Sequence, residues 1–299
     1  MAKSQKFIDP SVLTRIDGLA LRVRRIVEGM FAGLHRSPYR GFSTEFAEHR
    51  EYAPGDDLRY LDWKVFGRTD KYYLKQFDDE TNMTWNLALD VSASMSYQGP
   101  DAALSKLEYA QCLVASLAWL ALHQRDAAGL ITFDQEVLEF VGSSNQPTHL
   151  QRILIALERT SAVGKTDLQA VLTRLAQTLR RRSAVLVVSD FLCPLEGTIQ
   201  GLKLLSKQSH ETIALHLMDT AEAKLPFRGP TSFRNLEDRS QEVAVHAALI
   251  RRGYRKAMED FCEQIKLQLQ QMSVRYVRAF TNEPVDVVIS RLIDGNPHA

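Results

Sequence analysis

The spacing of apolar positions along the chain predicts alternating strands and helices from about residue 84 onward. Continuous apolar runs are typical of strands that are covered on both faces. Such runs occur at TWNLALDV (84–91) and SAVLVVSD (183–190), and the pattern predicts further strands at TIALHLMD (212–219) and VRYVRAF (274–280). Helical periodicity lies between and around them, at residues 103–124, 147–159, 167–182, 196–208, 247–272 and about 285–294. Strands separated by helices indicate an α/β fold with a doubly wound, mostly parallel sheet and helices on both of its faces.

Two further pairs of short strands predict hairpins. AAGLITF (127–133) and EVLEFVG (136–142) are separated only by Asp134 and Gln135, and TSFRNLED is followed at short range by QEVAVHA. Antiparallel strands can be joined by a connection of this length, whereas parallel strands need a longer crossover. Each pair is therefore expected to be antiparallel.

The first 84 residues have a different pattern, which predicts a smaller N-terminal α+β subdomain (1–84) before the main domain (85–299). Residues 11–34 have the pattern of a basic amphipathic helix, and FSTEFAEHREY alternates apolar and charged positions like an edge strand. Bulky apolar groups follow among charges in the segment 50–80. We expect Tyr52, Trp63 and Phe77 to anchor this subdomain on the main one rather than to contact a ligand.

The composition argues against several classes of function. The formal net charge is +1, which gives no global attraction to nucleic acid or to an anionic membrane. The three cysteines are scattered, without the spacing of a metal site, as expected in a reducing compartment. The most apolar segment, residues 110–122, is shorter than the roughly 20 residues of a membrane span. The sequence therefore predicts a cytoplasmic protein without stable membrane insertion.

Polar side chains with oxygen ligands stand where two of the buried strands end. Asp90 closes one strand and is followed by Ser92 and Ser94, and Asp190 closes another. A third element, the loop GKTDL, carries Thr166 just before a helix. Ligands of open parallel sheets bind beyond the carboxyl ends of the strands. Carboxylates and hydroxyls without His or Cys suit a hard cation such as Mg²⁺, with Mn²⁺ or Ca²⁺ as the alternatives.

These residues, DVSAS with Thr166 in GKTDL and Asp190 in VVSDF, resemble the metal-ion-dependent adhesion site of von Willebrand factor A domains. The resemblance implies that the hydroxyls of Ser92, Ser94 and Thr166 face the metal, and that Asp90 and Asp190 hold it directly or through water. It also implies that a protein partner supplies an Asp or Glu as the sixth ligand. Phe191 departs from the pattern, because many such domains have glycine after the last aspartate.

A second resemblance covers most of the chain, roughly residues 11–295. The segment REYAPGDDLRYLDWKVFGRTDKYYLKQFDDE is similar to the signature of a bacterial family. In that family, this segment precedes a von Willebrand A-like domain. Genes of that family are often found beside those of MoxR-type AAA+ ATPases. The resemblance implies a non-enzymatic interaction module, with a MoxR-type ATPase or its client as partner, in chaperone-like complex assembly.

Two alternatives from other classes stay open on the sequence. A metal-dependent phosphoesterase would use Asp90 and Asp190, although no acid or base is evident beside them. A nucleic-acid-binding module would use the basic N-terminal helix, although no aromatic platform accompanies it. A phosphate loop at 164–166 is disfavoured because Arg159 stands where its first glycine is required, and the region of Ser94 lacks the glycines of a nucleophile elbow.

Overall fold

A computed structural model of the chain describes residues 18–34, 49–51, 72–75, 83–179, 183–208 and 211–293. The chain divides into two compact units, one of residues 1–36 with 83–299 and one of residues 37–82. In the smaller unit, strand β1 (His49–Glu51) pairs antiparallel with strand β2 (Tyr73–Lys75). The predicted anchors Tyr52, Trp63 and Phe77 lie outside the described residues, so their role stays a prediction.

The larger unit is built on a six-stranded sheet in the order β10-β7-β6-β3-β4-β5. Its strands are β3 (Thr84–Asp90), β4 (Ala127–Phe133), β5 (Val137–Ser144), β6 (Ala184–Ser189), β7 (Glu211–Met218) and β10 (Val274–Phe280). Neighbouring strands are parallel, apart from the antiparallel pair of β4 and β5. The predicted doubly wound, mostly parallel α/β class is therefore confirmed, and so is the first hairpin.

Helices cover both faces of this sheet. They are α1 (Leu19–Leu34), α2 (Lys106–His123), α3 (His149–Arg159), α4 (Leu168–Thr178), α5 (Leu195–Ser206), α6 (Thr220–Lys224), α7 (Ala247–Gln270) and α8 (Val285–Ile293). The second predicted hairpin is also present, as β8 (Pro230–Arg234) paired antiparallel with β9 (Glu242–His246). None of the helices among the described residues is both long and apolar enough to cross a membrane.

The strands contribute alternate side chains to two hydrophobic cores, which explains why their apolar runs are continuous. On β3, Leu87 and Leu89 point to one core, whereas Ala88 points to the other. Apolar side chains of α1, α2, α3 and α8 fill the first core, and those of α4, α5 and α7 fill the second. Because both faces of such a strand are buried, its sequence does not alternate between apolar and polar residues.

Helix α1 belongs to the core of the larger unit, although the sequence boundary at residue 84 had assigned it to the N-terminal subdomain. Val23, Ile26 and Val27 are buried in the first core. Farther along α1, the Phe31 ring meets the edge of Trp119 from α2, with ring centroids 5.6 Å apart. The apolar face of this basic helix is therefore used for packing within the fold.

Candidate metal site

Asp90 and Asp190 lie side by side at the carboxyl edge of the sheet. Asp90 is the last residue of β3, Asp190 directly follows β6, and these strands pair in parallel with Leu89 opposite Val188. The two aspartates are almost completely buried, with 0% and 2% of their surfaces exposed. Adjacent strand ends therefore bring together two carboxylates that are a hundred residues apart in sequence.

Asp90 accepts hydrogen bonds at both carboxylate oxygens. The backbone N–H of Ser92 donates to Oδ1 at 2.9 Å, and the hydroxyl of Ser189 donates to Oδ2 at 2.6 Å. Burial, together with the nearby charge of Asp190, nevertheless raises the pKa of Asp90 to about 7. Its negative charge is thus poorly compensated by the protein groups around it.

Asp190 has a cationic partner, whereas Asp90 has none in the part of the chain that the structure describes. Lys106, in the first turn of α2, donates from Nζ to Asp190 Oδ2 at 2.8 Å and to Glu222 Oε1 at 2.6 Å. The lysine is completely buried. Burial opposes ionisation of Asp190, but the ammonium of Lys106 outweighs it and lowers the pKa of Asp190. The pKa of Glu222 is raised because burial prevails over the same ammonium.

The serines predicted as ligands lie between the two aspartates, where the chain leaves β3 in a short 3₁₀ turn (Ala93–Ser96). The hydroxyl oxygens of Ser92 and Ser94 are 3.1 Å apart and share a hydrogen bond. The side chain of Ser94 also lies close enough to Asp190 to help lower the pKa of that carboxyl. Asp90, Ser92, Ser94 and Asp190 therefore form one connected polar cluster.

Thr166 lies on a loop that is held against this cluster by its backbone. The N–H of Ala93 donates to the carbonyl oxygen of Gly164 at 3.0 Å. Gly164 has a φ of +80°, so a residue with a side chain would be strained here, and its Cβ would also displace the Asp134 carboxylate, whose Oδ2 lies 2.4 Å from that position. The Thr166 hydroxyl itself donates to Oε1 of Glu237 at 3.2 Å. No hydrogen bond between Thr166 and the two aspartates is recorded among the described residues.

Phe191, the departure from the adhesion-site pattern, adopts the left-handed backbone conformation for which glycine is usually chosen. Its φ is +51°. The ring is buried and meets the edge of His216, with ring centroids 5.5 Å apart, and its N–H donates to Ser189 at 3.0 Å. Packing of the large ring stabilises a conformation that L-residues rarely adopt.

Sequence reasoning missed Ser189, Lys106 and Glu222, which lie around the cluster, and it missed Glu237, which contacts Thr166. Lys106 left a weak signal, as a lysine inside the first turn of a helix that is otherwise strongly apolar. A cation at a helix N-terminus is disfavoured by the helix dipole, so a buried lysine there requires carboxylate partners. Nothing in the sequence around Glu237 distinguishes it from an ordinary loop residue.

The chemistry of this cluster fits a divalent cation. Three carboxylates (Asp90, Asp190 and Glu222) and one ammonium (Lys106) leave an excess of two negative charges when all are ionised. Each carboxylate oxygen has two lone pairs, so the bonds already described leave acceptor capacity. Among the residues that the structure describes, no three His, Cys, Asp or Glu side chains form a ligand group by themselves. A metal here would therefore depend on the serine and threonine hydroxyls as well.

The fold is von Willebrand A-like, with a mostly parallel sheet covered by helices on both faces. BatB from Bacteroides thetaiotaomicron has a similar structure, with a TM-score of 0.50 and 20% identity over 71% of this chain and 98% of that one. The VWA domain of SpRpn10 is also matched, with a TM-score of 0.40 and 11% identity over 71% of this chain and 95% of that one. The likeness to BatB concerns the fold alone.

The chain belongs to the family described as protein of unknown function DUF58, whose model matches residues 48–263. The uncharacterized proteins Rv1480 of Mycobacterium tuberculosis and Mb1516 of Mycobacterium bovis are each 27% identical to it over 233 residues. That match covers 77% of this chain and 72% of each relative.

Proposed function

We propose that this protein is a non-enzymatic interaction module that binds Mg²⁺ or Mn²⁺ at Asp90, Ser92, Ser94, Thr166 and Asp190. The observation that carries the proposal is a pair of buried aspartates, of which Asp190 contacts the ammonium of Lys106 whereas Asp90 contacts no cation among the described residues. Removing two carboxylates from water is costly unless their charge is balanced. A divalent cation would supply the missing positive charge, and the neighbouring hydroxyls are ligands of the type that Mg²⁺ accepts.

The metal would in turn recruit a protein partner through an acidic side chain. A hydroxyl-rich site neutralises only part of the ion's charge, so an additional Asp or Glu would form a strong charge-assisted contact at this largely buried site. The resemblance to the bacterial family makes a MoxR-type AAA+ ATPase, or a client of that ATPase, the partner that we propose. The protein would encounter either partner in the cytoplasm.

A titration with the purified ATPase tests this function. Wild-type protein should bind in Mg²⁺ and lose most of its affinity in EDTA, and Asp90→Ala should bind weakly under both conditions. Glu139→Gln, which removes an exposed carboxylate on β5, is the matched control and should bind like the wild type. Equal affinity of wild type and Asp90→Ala in Mg²⁺ would show that the metal site is not the contact.

A metal-dependent phosphoesterase is the other function that uses the same carboxylates. It differs from an interaction module in one measurable respect, because it requires turnover of a phosphate ester. Hydrolysis of a generic aryl phosphate in Mg²⁺ by the wild type, and its absence in Asp90→Asn, would replace the interaction proposal with this one.

A further inference from the structure

We propose that Glu237 is an internal carboxylate ligand of this site, so that the chain itself occupies the position that a partner's acidic side chain would take. This inference rests on the proposed function, because it presupposes a metal at Asp90 and Asp190. It assigns a role to the β8–β9 hairpin, whose connecting loop carries Glu237.

The first observation is a two-point contact between Glu237 and the threonine that is predicted as a ligand. The Thr166 hydroxyl donates to Oε1 at 3.2 Å, and the Thr166 backbone N–H donates to Oε2 at 3.3 Å. Both oxygens of one carboxylate are thus directed at a single residue of the site. Thr166 and Glu237 are 71 residues apart in sequence. The contact is therefore made because the β8–β9 hairpin folds back to the loop that carries Thr166.

The loop around Glu237 is arranged to hold it there. The side chain of Asn235 accepts hydrogen bonds from the N–H groups of Glu237 at 2.9 Å and Asp238 at 3.2 Å. Beside Thr166, the ammonium of Lys165 lies 3.6 Å from a carboxylate oxygen of Asp238. Neighbouring residues of the loop therefore pair with neighbouring residues of the site, and Glu237 itself is partly buried.

The thiol of Cys193 interacts electrostatically with Glu237 as well as with the two aspartates. Burial raises the pKa of this thiol to about 11, and the charges of Asp90, Asp190 and Glu237 each add to the effect. One half-buried group thus lies within electrostatic range of all three carboxylates. The negative charge of Glu237 is repelled by the two buried aspartates. A bound cation would offset this repulsion and so favour the position of Glu237 at the site.

Ligation of the metal by Glu237 would compete with binding of a partner's carboxylate. A metal bound at this site would be ligated by Glu237 from within the chain, and a partner carboxylate would have to displace the hairpin. Replacing Glu237 by glutamine removes the charge and keeps the shape of the side chain. Such a variant should expose one more ligand position on the metal, which water would fill.

Water-proton relaxation with Mn²⁺ as the probe measures that position directly. We expect Glu237→Gln to bind Mn²⁺ about tenfold more weakly than the wild type, because one charge-assisted ligand is lost. Its bound Mn²⁺ should also show higher relaxivity, equivalent to one more water. Glu242→Gln, which removes a carboxylate from strand β9 of the same hairpin, should behave like the wild type.

The outcomes separate this inference from the function on which it rests. If Asp90→Ala abolishes Mn²⁺ binding but Glu237→Gln matches the wild type in affinity and relaxivity, the internal ligand is refuted and the metal site stands. If Asp90→Ala binds Mn²⁺ like the wild type, both are refuted. Hydrogen exchange gives a second readout, because Mn²⁺ should slow exchange of residues 230–246 in the wild type and not in Glu237→Gln. Equal protection in the two proteins would contradict the inference.

Discussion

Asp90 and Asp219 both close a buried apolar strand, yet their surroundings differ completely. Asp219, after β7, accepts hydrogen bonds from the N–H of Gly99 and the hydroxyl of Thr281 at Oδ2, each at 3.0 Å, and from the N–H of Ala221 at Oδ1, at 2.7 Å. It caps helix α6, and a Cβ on Gly99 would stand only 2.1 Å from Oδ1. This carboxylate is enclosed by the donors of its own fold.

Asp90 instead faces a second buried carboxylate, and that charge together with burial raises its pKa. The comparison teaches that an aspartate at a strand end is structural when backbone and hydroxyl donors enclose it. It becomes a candidate ligand when two carboxylates meet at adjacent strand ends with too little positive charge.

Replacing Lys106 should have the largest effect, because it leaves Asp190 and Glu222 buried without their cation. We expect Lys106→Met to lower the free energy of unfolding by about 3–5 kcal/mol, as for other buried pairs that lose one partner. Urea denaturation in EDTA measures the loss. Lys203→Met, at an exposed position of α5, is the control and should change stability by less than about 0.5 kcal/mol.

Removing the enclosed carboxylate should cost less but should act on stability alone. Asp219→Ala leaves the donors of Gly99, Ala221 and Thr281 without their acceptor, at about 3 kcal/mol in total. The affinity for Mn²⁺ should be unchanged in the protein that remains folded. Loss of Mn²⁺ binding with unaltered stability would erase the distinction between the two aspartates.

Metal should stabilise the wild type through the Asp90 region. At a free concentration one hundred times the dissociation constant, the ion adds about 2.7 kcal/mol to the free energy of unfolding. Thermal unfolding of the wild type should therefore shift upward in Mg²⁺, and that of Asp90→Asn should not. A shift of the same size in both proteins would place the ion elsewhere.

The pH dependence of the metal-free protein should be gradual, with a slope of at most about 1.4 kcal/mol per pH unit for one proton. The pKa of Asp90 is raised from 3.8 to about 7, so the folded state holds a proton that the unfolded state releases. This contribution is complete below about pH 4 and is lost as the pH rises through about 7. Glu222 acts in the same direction, so the test is the difference between wild type and Asp90→Asn in EDTA. Parallel profiles would contradict the prediction.

The sequence was sufficient for the elements that depend on local pattern. Continuous apolar runs located β3 and β6, and the segments TIALHLMD and VRYVRAF located β7 and β10. Because parallel strands end at one edge, Asp90 and Asp190 could be placed together in advance. Helix α1 was assigned to the N-terminal subdomain, since its basic residues were prominent and its packing partner on α2 could not be known. Which helix a segment packs against depends on the tertiary fold.

The partners of the site were out of reach for the same reason. Lys106 and Asp190 are 84 residues apart, and Thr166 and Glu237 are 71 apart. No periodicity or spacing rule connects positions at such distances when they lie on different elements. The ligand types could thus be predicted from the ends of two strands, whereas the groups that balance and cover them required the structure.

The most direct test of the account is a calorimetric titration of Mn²⁺ into wild type, Asp90→Asn and Asp219→Asn. The account predicts one site in the wild type, at least tenfold weaker binding in Asp90→Asn, and wild-type affinity in Asp219→Asn. Equal affinity in all three proteins would contradict it, because the paired carboxylates would then have no more to do with a metal than the enclosed one.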